Sequence, residues 1–315
     1  MGSRNFYADT STKIGIELTF VFIKTHSNEI NGKKISLKVV VLFLFYSCAN
    51  HGQLTYVTVL PKSLKENSGI ATFTKDSAWF IEDSGNDDVI TQVDYEGNVL
   101  RELKVKNAKN HDWEDLTEDK KGNLYIGDFG NNESDRKNLV IYKLPNPELE
   151  SGDHITAEKI TFKYPEQKHF PPKKSERLYD AEAFFHYNNY LYIFTKNRAN
   201  PFTGVSLIYR VPDTKGDYDA EYLGKLTMCD DWDTCRISSA DISPDGKTVV
   251  LLSTGKIWTI TDVDLENLPS SNLTEIDLLV RTQLESISFL DNTTLLLSDE
   301  ETKREGRDLY KYVLK

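Results

Sequence analysis

Three glutamates, Glu114, Glu182 and Glu285, each stand at the head of a short apolar segment, in WEDLT, AEAFF and LESISF. Ser68 and Ser239 hold the matching place in SGIATF and SADIS. Carboxylates gathered at one point raise one another's pKa unless a cation or base relieves them. Carboxylate and amide oxygens are hard donors and suit Ca²⁺, which takes about six to eight oxygen ligands. Glu114, Glu182 and Glu285, with help from Asp128 or Asn131 of GDFGNN, are therefore a candidate Ca²⁺ site. The alternative is that each Glu caps a turn or pairs with Lys196, Arg198 or Lys303. Asp83, Lys196, Arg198 and Asp299 end the segments that follow and join Ser68 and Ser239 as candidate ligand-facing residues. His111, beside Asp112 and Glu114, is either a general base at that place or a packing residue. The chain has no Gly-x-Ser-x-Gly elbow, phosphate loop, His-Glu-x-x-His or Cys-His cluster, so no Ser-His nucleophile is visible.

The elements that must position these residues form a repeat. Each of the five segments is followed by a turn rich in Asp, Asn, Gly or Lys and then by a second apolar run: SAWFIED, NLYIGDF, YLYIFTK, TVVLLST and TTLLLSD. A third run follows: VITQVDY, NLVIYKL, SLIYRVP, GKIWTIT and DLYKYVL. Four repeats add a fourth: VLRELKV, KITFKYP, AEYLGKL and IDLLVRT. Units of four antiparallel strands, starting roughly 46 to 68 residues apart, predict the blades of an all-β propeller. The count is five, with a six-bladed ring as the alternative. The last unit lacks its fourth strand, and LTYVTVL, from Leu54, is an orphan before the first. That N-terminal strand is expected to close the ring and remove an exposed edge. In this fold, segment starts and second-strand ends share one mouth of the channel. The stretch from Pro145 to Tyr179 reads as a surface excursion, either a cover for that mouth or a solvated loop.

With 49 Asp and Glu against 38 Lys and Arg, the net charge is −11, which argues against nucleic acid as a partner. Residues 1–50 read as a leader and export segment, and 51–315 as the propeller domain. Lys33 and Lys34 precede a short apolar run that ends at Ser47-Cys48, the pattern of a secretory signal. Cys48 is the expected lipidation site, with an ordinary signal and an incidental Cys as the alternative. Export and a lipid anchor in a bacterial cell envelope are the expected location, and a monomer the expected state. Cys229 and Cys235 flank DDWDT, and in an oxidising compartment such a pair is expected to form a disulfide.

The pieces WEDL, GDFGNN, DAEA and ADISPDG together resemble a family of exported bacterial propeller proteins of undefined function, from about Ser68 to the C-terminus. That resemblance implies the propeller and no activity. A more distant one is to calcium-dependent propeller hydrolases: nucleotidases, lactonases and phytase-like enzymes. It implies channel Ca²⁺ held by carboxylates, carried here by Glu114, Glu182 and Glu285, while Ser68 and Ser239 depart from an all-acidic ring. The expected function is an extracytoplasmic propeller that binds a small molecule, glycan or protein at an acidic mouth. The alternatives are a calcium-dependent hydrolase of phosphoesters or lactones and a non-catalytic scaffold.

Overall fold

The structure, a computed structural model, describes residues 51–303 and 306–315, together with the backbone where β1 (Glu29–Ile30) and β2 (Lys33–Lys34) pair antiparallel. The chain divides into two units, Met1–Asn50 and His51–Lys315. The apolar run of the expected export segment and Cys48 lie outside the described residues.

His51–Lys315 is a five-bladed β-propeller. After β3 (Thr55–Val59), blade 1 runs outward as β4 (Asn67–Ala71), β5 (Ser77–Glu82), β6 (Val89–Asp94) and β7 (Val99–Lys106). Blade 2 comprises β8 (Trp113–Glu118), β9 (Leu124–Asp128), β10 (Leu139–Leu144) and, after β11 (His154–Thr156), β12 (Glu158–Lys163). Blade 3 comprises β13 (Asp180–Tyr187), β14 (Tyr190–Lys196), β15 (Val205–Pro212) and, after β16 (Gly216–Asp219), β17 (Glu221–Thr227). Blade 4 is β18 (Ile237–Ile242), β19 (Thr248–Ser253), β20 (Lys256–Thr261) and β21 (Thr274–Asp277). Blade 5 is β22 (Leu284–Phe289), β23 (Thr294–Asp299), β24 (Asp308–Val313) and β3, which pairs antiparallel with β24 and closes the ring as expected.

The sequence of each blade grades from its centre to its rim. The inner strand β4 is buried at every residue, and β19 along TVVLLS is buried at all but its first. The outer strand β7 alternates, with Leu103 and Val105 buried between exposed polar neighbours, as a strand with one solvated face must. Tight turns need φ > 0, supplied by Gly122 (φ +86°) between β8 and β9 and Gly246 (φ +75°) between β18 and β19. Five hydrophobic clusters result, one at each interface between blades. Trp113, fully buried, belongs to the interface of blades 1 and 2, and Phe129 and Phe184 meet edge-on between blades 2 and 3. Each such side chain contributes about 1.5–3 kcal/mol by burial.

Two strands were not expected. β11 adds in parallel to the outer edge of blade 1, and β16 adds in parallel to blade 2. Each leaves its own blade to cover the edge of the one before it, which protects unpaired edge groups. The fourth strand of blade 4 is Thr274–Asp277 and not IDLLVRT, because Leu279 turns the chain at φ +56°.

Candidate functional site

Every inner strand carries a register shift at the same point, between residues 67 and 69, 113 and 115, 181 and 183, 237 and 239, and 284 and 286. A bulge inserts one unpaired residue and re-aims its side chain. The five bulge residues are Ser68, Glu114, Glu182, Ser238 and Glu285, and all five line one cavity of about 620 Å³ at the channel mouth. The expected equivalence of Ser239 was off by one: Ser238 faces the mouth. Ser239 lies one layer deeper, fully buried, and donates to the Asp115 carboxylate at 2.9 Å. The two bulge serines lock neighbouring blades. Ser68 donates to the Trp113 carbonyl (2.8 Å) and Ser238 to the Leu284 carbonyl (3.0 Å), each bond ending just before a bulge glutamate.

The deeper layer seals the ring beneath the cavity. Asp115 accepts from the backbone N–H of Phe184 (3.2 Å) and of Ala240 (3.3 Å), so one carboxylate of blade 2 ties blades 3 and 4 together. Gly69 of blade 1 makes room, since a Cβ there would sit 2.6 Å from the Leu116 nitrogen.

The three glutamates differ in their partners. Glu182 is fully engaged: Lys196 Nζ lies 2.8 Å from one oxygen and an Arg198 terminal nitrogen 2.7 Å from the other. Arg198 Nε also pairs with Asp180 at 2.6 Å, and burial and Glu182 push that carboxyl up to about 7 against the pull of Arg198 and Lys196. Although burial opposes its charge, these cations hold the Glu182 carboxyl below its usual range. Glu114 is only 8% exposed, and no described residue donates a hydrogen bond to its carboxylate. Burial, then Glu182, Asp83 and Asp112, push its pKa well up. Asp83, Asp112 and Glu114 bring carboxylate oxygens within 4.8 Å of one another. Burial and Asp83 push Asp112 up to about 6 against the pull of Arg136, and burial raises Asp83. Gly130 floors this group: a Cβ there would lie 2.0 Å from Glu114 Oε1 and 2.5 Å from Asp112 Oδ2. Burial also raises Glu285, against the pull of Lys196. Burial and Glu285 push Glu300 up to about 7.

Of the expected site residues, Ser68, Asp83, Glu114, Glu182, Glu285, Lys196 and Arg198 line the cavity. Asp128, His111 and Asp299 do not. Asp128 is buried under the blade 2 loop, where it accepts from Arg136 at 2.7 Å and from the Asp112 N–H at 3.1 Å. His111 sits outside, half-exposed, with Nδ1 3.2 Å from Asp128 and its ring on a separate groove. Asp299 accepts from Tyr310 (3.0 Å) and the Asp308 N–H (2.7 Å), which pins β24 in place. Asn131 accepts from the Asp135 and Arg136 N–H groups and so caps its own loop. Sequence reasoning missed Asp112 and Asp180, each two residues before a bulge glutamate, although the Asp-x-Glu spacing repeats in DWE and DAE. It also missed Glu66 and Arg236. No residue from 145 to 179 lines the cavity, so the excursion is not a cover for it. Cys229 and Cys235 are joined as a disulfide, with Cα atoms 5.6 Å apart.

Fold and cavity define a class: a closed five-bladed propeller with a strongly acidic pocket at one end of its channel. No protein-family model and no curated protein matches the chain in sequence. Solved structures similar in fold include the aldose sugar dehydrogenase of Streptomyces coelicolor in its PQQ-bound form, at 10% identity and TM-score 0.49, covering 84% of this chain and 99% of that one. A gluconolactonase from Xanthomonas campestris aligns at 10% identity and TM-score 0.43, covering 80% and 73%. The WD40 propeller domain of Doa1 aligns at 8% identity and TM-score 0.37, covering 79% and 66%. At these identities the likeness is one of fold alone.

Proposed function

We propose that this chain is a ligand-binding propeller whose acidic cavity holds a divalent cation, Ca²⁺ by the character of its donors. The observation that carries the reading is the Glu114 carboxylate: buried, given no hydrogen bond by any described residue, and converging with Asp83 and Asp112 over Gly130. An ionised carboxylate taken from water without a partner is costly, and a cation among three carboxylates offsets that cost. The donor set holds oxygens only, with no His or Cys, which suits a hard ion. Glu182 is not among the ligands, because Lys196 and Arg198 already occupy both its oxygens. The cavity leaves the ion open to water and to a ligand.

The reading includes export and attachment to a bacterial envelope through Cys48. Lys33-Lys34, the apolar run to Ser47 and the Cys229–Cys235 disulfide support it. Mass measurement of the mature N-terminus tests it, and a chain without lipid at Cys48 removes the anchor.

A second reading, hydrolysis of phosphoesters or lactones, is favoured by Glu300. A carboxyl that titrates near neutrality in the same cavity is suited to acid-base work. When bound, the divalent ion supplies Lewis acidity toward a phosphoryl or carbonyl oxygen. Glu300→Gln is then expected to abolish hydrolysis while leaving ion binding intact.

Thermal melts of the full chain in EDTA and in millimolar Ca²⁺ test the leading reading. A Ca²⁺-dependent rise that vanishes in Glu114→Gln is expected. No rise in the wild type overturns it.

A further inference from the structure

The cavity is not acidic all round. Two rings of positions lie at it: the bulge residues, which line it, and those two places earlier, Glu66, Asp112, Asp180, Arg236 and Gln283, of which Glu66, Arg236 and Gln283 line it. Blade 4 alone presents no carboxylate in either ring, only Arg236 and Ser238. Lys196, Arg198 and Arg281 also line the cavity, and each is spent on carboxylates: Lys196 and Arg198 on Glu182, Arg281 on Asp277 (3.0 and 3.1 Å). Arg236 forms no ion pair among the described residues. Its Nε donates to the Trp232 carbonyl at 2.9 Å, and its guanidinium lies 4.4 Å from the centre of the Trp232 ring. Both contacts belong to the loop that the Cys229–Cys235 disulfide closes, so the side chain is held in place without a carboxylate partner among the described residues. Asp233 shares the cavity without pairing with it. Burial and Arg198 disfavour its charge, and Glu182, Asp233 and Glu285 offset this only in part.

A partly buried, pre-positioned guanidinium whose two terminal nitrogens have no partner among the described residues is a fork for an oxyanion. We infer that the ligand of this cavity carries an oxyanion, phosphoryl or carboxylate, which Arg236 receives from blade 4. This rests on the ligand-binding reading of the same cavity but not on the metal. An anion on Arg236 would leave Asp83, Asp112 and Glu114 to an ion on the other side, with Asp233 the one carboxylate of the blade 4 sector.

The test is calorimetric titration of the full chain with sulfate, a tetrahedral probe, and with acetate, a planar one. Ionic strength is held constant with sodium chloride, and both titrations are run in EDTA and in Ca²⁺. Saturable binding of at least one probe is expected, weakened at least tenfold in Arg236→Gln and partly restored in Arg236→Lys. Sulfate alone assigns a phosphoryl-type group, and acetate alone a carboxylate. Should Arg236→Gln fail to fold, the wild-type titration and Arg236→Lys still decide. No saturable binding of either probe, or wild-type affinity in Arg236→Gln, overturns the inference. Anion binding in EDTA with no Ca²⁺ effect on melting would sink the metal reading alone. A Ca²⁺-dependent melt without anion binding would sink only the inference.

Discussion

Replacing Glu114 by Gln should raise the stability of the metal-free protein and remove its response to Ca²⁺, two effects of opposite practical sign from one substitution. The carboxylate oxygens of Asp83, Asp112 and Glu114 lie within 4.8 Å of one another. At that separation and an effective dielectric of about 20, one pair of unit charges repels by ~3.5 kcal/mol. Asp112, with a pKa of about 6, is almost wholly ionised at pH 7.5, but burial and its acidic neighbours push the Glu114 pKa well up, so Glu114 sheds part of this repulsion by taking up a proton and ~3.5 kcal/mol is an upper bound. Burying a Gln amide costs about 1–2 kcal/mol in return. The net gain in EDTA is therefore at most about 2 kcal/mol, or roughly 4–8 °C in melting temperature for a domain of this size. Ca²⁺ at a thousandfold excess over Kd stabilises the wild type by about 4.1 kcal/mol, and Glu114→Gln by none. The melting order should thus invert between EDTA and saturating Ca²⁺, read by differential scanning calorimetry on both proteins. A variant that melts lower than wild type in EDTA yet keeps the full Ca²⁺ shift would refute the electrostatic argument and the site together.

Three further outcomes follow from the same geometry. The metal-free wild type should lose stability as pH rises from about 4 to 7, because Asp112 and Glu300 have folded pKa values above their unfolded ones and the native state binds the extra protons. For Asp112 the shift from 3.8 to about 6 is worth about 3 kcal/mol by pH 7, and a pH series of melts in EDTA that instead rises over this window would contradict it. Gly130→Ala places a Cβ 2.0 Å from Glu114 Oε1 and should abolish the Ca²⁺ shift while retaining the fold, as calorimetry and circular dichroism can show. Asp115→Ala leaves the buried N–H groups of Phe184 and Ala240 without an acceptor, costing about 3 kcal/mol or more and ~6–12 °C; an unchanged melt would mean that blades 2, 3 and 4 are not tied through this carboxylate.

What could be read from the sequence follows from how local each signal is. The blades were legible because their second strands are apolar runs and their turns carry Gly at positive φ, as at Gly122 and Gly246. Ring closure was legible because a missing strand at one end matched an orphan at the other, now β3 on β24. β11 and β16 were not: three or four residues paired in parallel on a neighbouring blade leave no periodicity of their own. The mouth was half legible. Glu114, Glu182 and Glu285 were placed correctly, but a bulge is set by pairing and not by pattern, so Ser239 was taken where Ser238 stands. Asp128 looked like a mouth residue because it ends a second strand, yet its side chain turns to Arg136 inside the loop.

The most consequential misreading was to treat the three glutamates as equal. Equivalent backbone positions give equivalent directions, but chemistry depends on what the rest of each blade brings to the same point. In blade 3, β14 ends in Lys196 and is followed by Arg198, so Glu182 is neutralised within its own blade. The matching region of blade 1 offers Asp83, and beside Glu114 on blade 2 stands Asp112, so charge accumulates there instead. Those residues were all visible in the sequence; which blade faces which was not, because that depends on the closure of the ring. Symmetry of fold thus built the mouth, and the departures from that symmetry, Lys196 and Arg198 on blade 3 and Arg236 on blade 4, leave one corner of three crowded carboxylates and, among the described residues, one guanidinium without an ion pair.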